Sequence, residues 1–127
     1  MFSDEKILKL IVSLNRLTST GVLEWTLSEP PRRVTAGLDI VVPLYIEAQH
    51  RGQRFALYQE RSRRFDGERD QFYAVEDLVL AVLDMEGRVL FEVRDQYSAL
   101  QDLFARARAS LVDIDSILSD LDDPEDN

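Results

Sequence analysis

The sequence predicts an α+β protein in which a five-stranded antiparallel meander is flanked by N- and C-terminal helices packed on one face. Three observations predict this fold class. Apolar residues recur at three- and four-residue spacing near both ends of the chain, as in amphipathic helices. Between them lie short β-branched and aromatic runs separated by turn residues. The chain has 127 residues, 45% of them hydrophobic, which suffices for one core.

The first predicted element is a helix from Ser3 to Ser19. Ser3 can cap its N terminus, and two acidic residues follow in the first turn, where the helix dipole favours negative charge. The apolar stripe consists of Ile7, Leu10, Ile11, Leu14 and Leu17. Gly21 lies just beyond and can adopt the left-handed conformation that ends many helices.

Five strands are predicted to follow, at residues 22–27, 38–48, 54–59, 78–83 and 89–93. Trp25 is expected to point into the core, and Pro43 to mark a bulge or an edge position, because proline cannot donate to a strand ladder. Asp84 to Arg88 is a strong hairpin signal between the last two strands. Arg63 to Asp70 is predicted to be an exposed loop built on Asp66-Gly67.

The last predicted element is one long helix that starts near Asp95 or Ser98 and ends at Leu121. Ser98 and Gln101 match a capping box. The apolar stripe continues over three heptads, with further apolar residues beside it: Leu100, Phe104, Ala107, Leu111, Ile114, Leu118 and Leu121, then Leu103, Val112 and Ile117. Covering the sheet and forming a homodimer through this helix both fit the stripe. We expect one domain over residues 1–121 and an acidic disordered tail over residues 122–127.

Composition excludes several classes of function. The chain has no cysteine, which rules out disulfides, thiolate nucleophiles and cysteine-ligated metals. Its start lacks a basic segment followed by an apolar core, and the longest apolar run, Leu78 to Leu83, is far shorter than the ~20 residues of a membrane span. We therefore expect a cytoplasmic protein that does not engage a membrane.

Charge is distributed unevenly along the chain. The net charge is −9, but residues 32–69 carry eight arginines against five acidic residues, whereas residues 70–127 carry four arginines against fifteen. The overall excess of negative charge disfavours nucleic acid as a partner.

The arginines in the middle of the chain are the most distinctive candidate site. Guanidinium groups bind carboxylates and phosphates in bidentate fashion. The candidate partner-binding residues are Arg51, Arg54, Arg61, Arg63, Arg64 and Arg69, with Tyr58 and Phe65 as aromatic residues at the site. Three interpretations stay open: a solvated surface, a docking surface for an acidic protein, and a site for a small phosphorylated ligand or nucleotide.

Catalytic and metal-binding patterns are weak. His50 is the only histidine and lies in a predicted turn beside Arg51. The acidic residues near the C terminus lack the glycine and terminal glutamate of a calcium-binding loop. No G-x-S-x-G motif is present. We expect no enzyme activity, no cofactor and no metal.

Three segments carry a resemblance to a group of proteins. The segment from Thr18 to Trp25 resembles the T-x2-G-x-L-x-W opening of small uncharacterised bacterial and phage α+β proteins. The segment from Asp84 to Val89 resembles their central hairpin. The residues that resemble their closing helix are Leu100, Leu103-Phe104, Ala107-Arg108, Val112-Asp113, Ile117-Leu118 and Leu121. The resemblance implies a sheet flanked by helices and implies no activity. The working hypothesis is a non-catalytic protein-binding module, such as an adaptor, a chaperone-like or an immunity-type factor.

Overall fold

The computed structural model describes residues 2–32, 40–94 and 97–122. In chain order the elements are α1 (Asp4–Ser19), β1 (Thr26–Leu27), β2 (Val41–His50), β3 (Gln53–Asp66), β4 (Gln71–Leu83), β5 (Val89–Arg94), α2 (Ser98–Ala109) and α3 (Ile114–Leu121). The strands form one antiparallel sheet in the order β1-β2-β3-β4-β5, which confirms the predicted meander. Residues 123–127 of the predicted tail (122–127), the strand start at Leu38 and the alternative helix start at Asp95 lie outside the described residues.

Helix α1 begins and ends as its sequence predicts. The side chain of Ser3 accepts a hydrogen bond from the backbone N–H of Lys6 over 3.3 Å, which satisfies one of the free N–H groups of the first turn. At the other end Gly21 has a φ of 80°, in the left-handed region that favours glycine.

The main core lies between one face of the sheet and helices α1 and α2. Residues at alternate positions of the strands point to this face, which we call the helix face. Trp25 is buried there, as predicted. The buried side chains of this core come from α1, from the segment before β1, from the sheet and from α2: Ile11, Leu14, Leu23, Trp25, Ile46, Ala48, Phe55, Leu57, Leu78, Leu80, Val93, Leu100, Leu103, Phe104 and Ala107.

A second, smaller cluster occupies the opposite face of the sheet, which we call the far face. Its buried residues come from the three central strands: Tyr45, Ala56, Tyr58, Val79, Ala81 and Leu83. By strand alternation the ion-paired side chains of Glu47 and Arg54 lie on this face as well. The central strands are therefore buried on both faces, which explains why the segment from Leu78 to Leu83 is apolar without alternation.

The predicted loop from Arg63 to Asp70 is wrong in its extent. Strand β3 continues to Asp66 and β4 starts at Gln71, and the two pair in register up to Asp66↔Gln71. Strand β2 reaches only Arg61 of β3, and β5 reaches only Val79 of β4. In the part of the chain that the structure describes, residues 62–66 and 71–75 therefore pair only with each other. We call this two-stranded ribbon, with its turn at residues 67–70, the arm.

The register between β2 and β3 shifts between Val41 and Leu44. Of the two alternatives predicted at Pro43, a bulge or an edge position, this irregularity confirms the bulge. Strand β1 pairs with only two residues of β2, Ile46 and Glu47. Among the described residues the sheet therefore has fewest strands at the end from which the arm extends.

The prediction of a single long C-terminal helix is also wrong, because α2 ends at Ala109 and α3 starts at Ile114. Asp113 stands at the break, and its side chain accepts a hydrogen bond from the backbone N–H of Ser116 over 3.1 Å, which starts a new helix. The predicted capping box is wrong too, since the N-cap of α2 is Tyr97, which makes no side-chain capping bond. The heptad pattern runs through the break because apolar spacing carries no information on where capping side chains interrupt it.

Candidate functional site

The structure divides the six predicted arginines between two ends of the sheet. Arg51 lies in the turn after β2 and Arg54 near the start of β3, whereas Arg61, Arg63 and Arg64 lie on the last residues of β3. Ten residues of a strand span about 33 Å, so Arg51 and Arg61 are far apart. The single arginine cluster expected from the sequence is therefore corrected to two separate groups.

Arg54 is a structural residue rather than a free ligand. Its Nη2 contacts both carboxylate oxygens of Glu47, at 2.9 and 3.2 Å, and its Nη1 donates to the backbone oxygen of Met85 over 3.2 Å. Both partners of the ion pair are largely buried, with side chains about one fifth exposed (22% and 20%). These contacts join β2, β3 and the β4–β5 turn.

Tyr58 also belongs to the interior. Only 2% of it is exposed, and its ring centroid lies 5.3 Å from that of Tyr45 on the far face. Burial, with a further contribution from the charge of Glu92, raises the pKa of the Tyr58 hydroxyl to about 12. Tyr58 therefore cannot stack on a ligand as the sequence suggests, because its side chain is enclosed by the fold.

The helix-face side of the arm brings an arginine and two aromatic rings together at the surface. Phe65 and Phe72 are direct cross-strand partners, with ring centroids 5.3 Å apart. The guanidinium carbon of Arg63 lies 5.0 Å from the centroid of the Phe72 ring, within the range of a cation–π contact. The two phenylalanines nevertheless remain 54% and 59% exposed. We call Arg63, Phe65 and Phe72 the arm patch.

Ion pairs hold the base of the arm. On the helix face the Nε of Arg61 lies 3.2 Å from Glu76, which also accepts a hydrogen bond from the side-chain amide of Gln59 over 2.8 Å. On the far face Arg64 lies 3.7 Å from Asp77. These pairs are about half exposed on the arginine side, and exposed pairs contribute only about 0–1 kcal/mol each.

The outer end of the arm is a tight turn. Arg69 lies 3.8 Å from Asp66, whose carboxylate also accepts a hydrogen bond from the backbone N–H of Glu68 over 3.0 Å. Tyr73, the cross-strand partner of Arg64, is 48% exposed on the far face. Aromatic rings and arginines therefore occupy both faces of the arm.

Metal-binding clusters and helices able to span a membrane are absent from the described ranges. In residues 2–32, 40–94 and 97–122 no group of three or more acidic or histidine side chains is arranged to hold a metal ion. His50 ends β2 and pairs in register with Gln53. None of the described helices is long and apolar enough to cross a membrane.

A groove lies beside the base of the arm, between the helix face and α2. It has a volume of about 660 Å³. Apolar atoms of Leu78, Phe104, Ala105, Ala109 and Val112 line it, and Arg108 lies at its side. The groove is not predicted from the sequence, because its walls are formed by strand residues and helix residues that lie far apart in the chain.

Phe72 belongs to the arm patch although it is not among the site residues predicted from the sequence. The sequence does contain a pattern that predicts its place there. Phe65 and Phe72 flank the Asp66-Gly67 turn at positions that a hairpin would place opposite each other. Comparisons with known proteins add no further candidate, since no family model, curated protein or solved structure matches this chain.

Proposed function

We propose that this chain is a non-catalytic, cytoplasmic protein-binding module of the adaptor, chaperone-like or immunity type, which docks an acidic segment of another protein on the arm. The observation that carries the proposal is the arm patch. Two large aromatic side chains stay more than half exposed on a ribbon that has no other strand beside it among the described residues.

Exposed aromatic residues next to arginines are the composition typical of binding hot spots. Phe65 and Phe72 offer apolar area that is already ordered by their mutual contact, so little conformational entropy is lost on binding. Arg63 and Arg61 add positive charge on the same face of the ribbon, which favours a segment containing aspartate or glutamate.

The open edges of the arm supply a second mode of contact. In the described ranges, residues 62–66 and 71–75 have a strand on one side only, and no described strand engages their outward backbone N–H and C=O groups. Strand edges of this kind can pair with an extended peptide. Addition of a strand would give affinity through backbone hydrogen bonds, and the arm patch would give specificity.

A small phosphorylated ligand, the alternative suggested by the sequence, is less well supported by this geometry. Tight phosphate binding requires several cationic groups that converge on one point. Here Arg54, Arg61, Arg64 and Arg69 each lie within 4 Å of a carboxylate of the same chain, and they are spread over the length of β3 and its turn.

The experiment is capture of partners from a lysate of the source organism, followed by affinity measurements with the purified partner. The test variants are Phe65→Ser, Phe72→Ser and Arg63→Glu. The matched controls are Leu90→Ser, an equally exposed apolar residue on β5, and Arg51→Glu at the other end of the sheet. We expect about a tenfold or greater loss for each test variant and no loss for the controls. Equal affinity for all five variants would refute the proposal.

A further inference from the structure

Helix α3 has no buried residue. Its apolar side chains Ile114, Ile117, Leu118 and Leu121 follow the spacing of one helical stripe, yet they are between 44% and 76% exposed. An eight-residue helix is not stable by itself in water, so such a stripe normally forms where another surface covers it. A covering surface for α3 therefore has to be found elsewhere.

The charge of α3 restricts which surface can cover it. From residue 111 to residue 122 the chain carries four aspartates and no cation: Asp113, Asp115, Asp120 and Asp122. At about 100° per residue, Asp115 and Asp120 lie about 110° on either side of the middle of the apolar stripe. Two copies of α3 that packed on each other would bring these aspartates together, so self-pairing of the helix is disfavoured.

The groove beside α2 has the complementary character. Its floor and walls are apolar at Leu78, Phe104 and Ala105. Its cation, Arg108, forms no ion pair with any carboxylate in the described part of the chain. A groove with an apolar floor, and with a guanidinium that no carboxylate of the described ranges engages, fits an apolar stripe flanked by aspartates.

The two acidic residues of the groove are already compensated. Glu76 contacts Arg61 and the side-chain amide of Gln59. Asp77 lies 3.7 Å from Arg64 and 3.8 Å from Arg94. Their charges therefore oppose an incoming aspartate less than their presence in the groove suggests.

We propose that the chain forms a homodimer in which α3 of each copy occupies the groove of the other. Within one copy the apolar side chains of α3 remain exposed although Val112, two residues before the helix, lines the groove. A second copy presents the same helix as a separate element. The exchange is reciprocal, so it closes as a two-fold dimer and covers both unpartnered surfaces. This contact is distinct from the arm patch and leaves that patch open for another protein.

Sedimentation of the wild type and two variants tests the dimer. The helix variant is Ile117→Ser with Leu118→Ser, and the groove variant is Ala105→Glu with Arg108→Glu, all at exposed positions. We expect the wild type to be dimeric at micromolar concentration and each variant alone to be monomeric. A mixture of the two variants should form a heterodimer, because one intact helix still meets one intact groove.

Three results would overturn the proposal: a monomeric wild type, a groove variant that dimerises like the wild type, or a mixture that stays monomeric. The second of these would indicate contact through other surfaces. Leu90→Ser serves as the control and should dimerise normally.

Cysteine pairing gives an independent readout if a variant fails to fold. The chain contains no cysteine, so engineered thiols have no background. We expect a chain with Ala105→Cys, mixed with a chain with Leu118→Cys, to form the mixed disulfide faster than either chain forms a disulfide with itself. Equal rates for all three pairings would contradict the exchange. Failure of this experiment would not affect the arm patch, which the partner-affinity variants test separately.

Discussion

The indole Nε1 of Trp25 donates a hydrogen bond to the Oγ1 of Thr18 over 3.0 Å, and that hydroxyl donates in turn to the backbone oxygen of Leu14 over 2.7 Å. Trp25 and Thr18 are 5% and 7% exposed. These two hydrogen bonds connect the segment before β1 to the last turns of α1. They also give the buried indole N–H of Trp25 an acceptor, and a buried N–H without an acceptor would lower the free energy of unfolding.

Replacement of Thr18 by valine tests this contact. Thr18→Val preserves the shape of the side chain but leaves the Trp25 N–H buried without its acceptor, so we expect a loss of about 1–3 kcal/mol in the free energy of unfolding. Thr18→Ser keeps the hydroxyl and should lose less. Urea unfolding followed by the fluorescence of the single tryptophan measures both. Equal losses for the two variants would show that the hydroxyl is not the stabilising group.

Arg54 and Arg51 should differ in their contribution to stability. Arg54→Gln leaves the largely buried carboxylate of Glu47 without its guanidinium partner, and we expect a loss of about 2 kcal/mol. Arg51 is exposed in a turn, and Arg51→Gln should change stability by less than about 0.5 kcal/mol. Chemical unfolding of both variants provides the comparison. Similar stabilities would argue against a structural role for Arg54.

The buried hydroxyl of Tyr58 should make stability depend on alkaline pH. Its pKa is about 12 in the folded protein, raised mainly by burial and further by Glu92, against an ordinary value of 10.0. The unfolded chain therefore loses this proton first as the pH rises, and unfolding becomes easier between about pH 10 and pH 12. The contribution of Tyr58 is intact below pH 10 and decreases by about 2–3 kcal/mol across that interval.

Comparison with Tyr58→Phe isolates this effect from other groups that titrate at high pH. We expect the stability difference between wild type and variant to shift toward the variant as the pH rises from 10 to 12. The measurement is the urea midpoint of each protein at several pH values. A difference that stays constant over this interval would contradict the raised pKa.

The elements that the sequence predicts well are those with a local signal. Helix α1 has a capping serine, a regular stripe and a glycine after its end, and the Asp84–Arg88 turn separates two strongly β-forming runs. In both places the residues that decide the structure are neighbours in the chain. The meander follows because consecutive strands joined by short turns pair with each other.

The arm and the break in the C-terminal helix escape prediction for a common reason. Strand residues 62–66 are mostly charged and bury no face, so they lack the alternation by which strands are recognised. Conversely, apolar spacing continues from α2 through α3 although Asp113 caps a new helix between them. Hydrophobic pattern identifies elements that pack on the core, and it is uninformative where an element projects away from it.

The candidate site is only partly predictable. The sequence identifies the arginines, but it does not show at which end of the sheet each one lies. In the structure Arg51 and Arg54 lie at the end opposite the arm. Tyr58 is predicted at the site because aromatic residues near arginines suggest stacking. Its position on a central strand buried on both faces places it in the interior instead.

Photocrosslinking from the arm tests the central proposal most directly, because it captures a partner in place before that partner has been identified. A photoreactive benzoylphenylalanine is introduced at position Phe72 in one chain and at position Leu90 in a second, and both are irradiated in cells of the source organism. We expect a specific adduct with another protein from position 72 and none from position 90. Adducts from position 90 alone, or from neither position, would contradict docking on the arm.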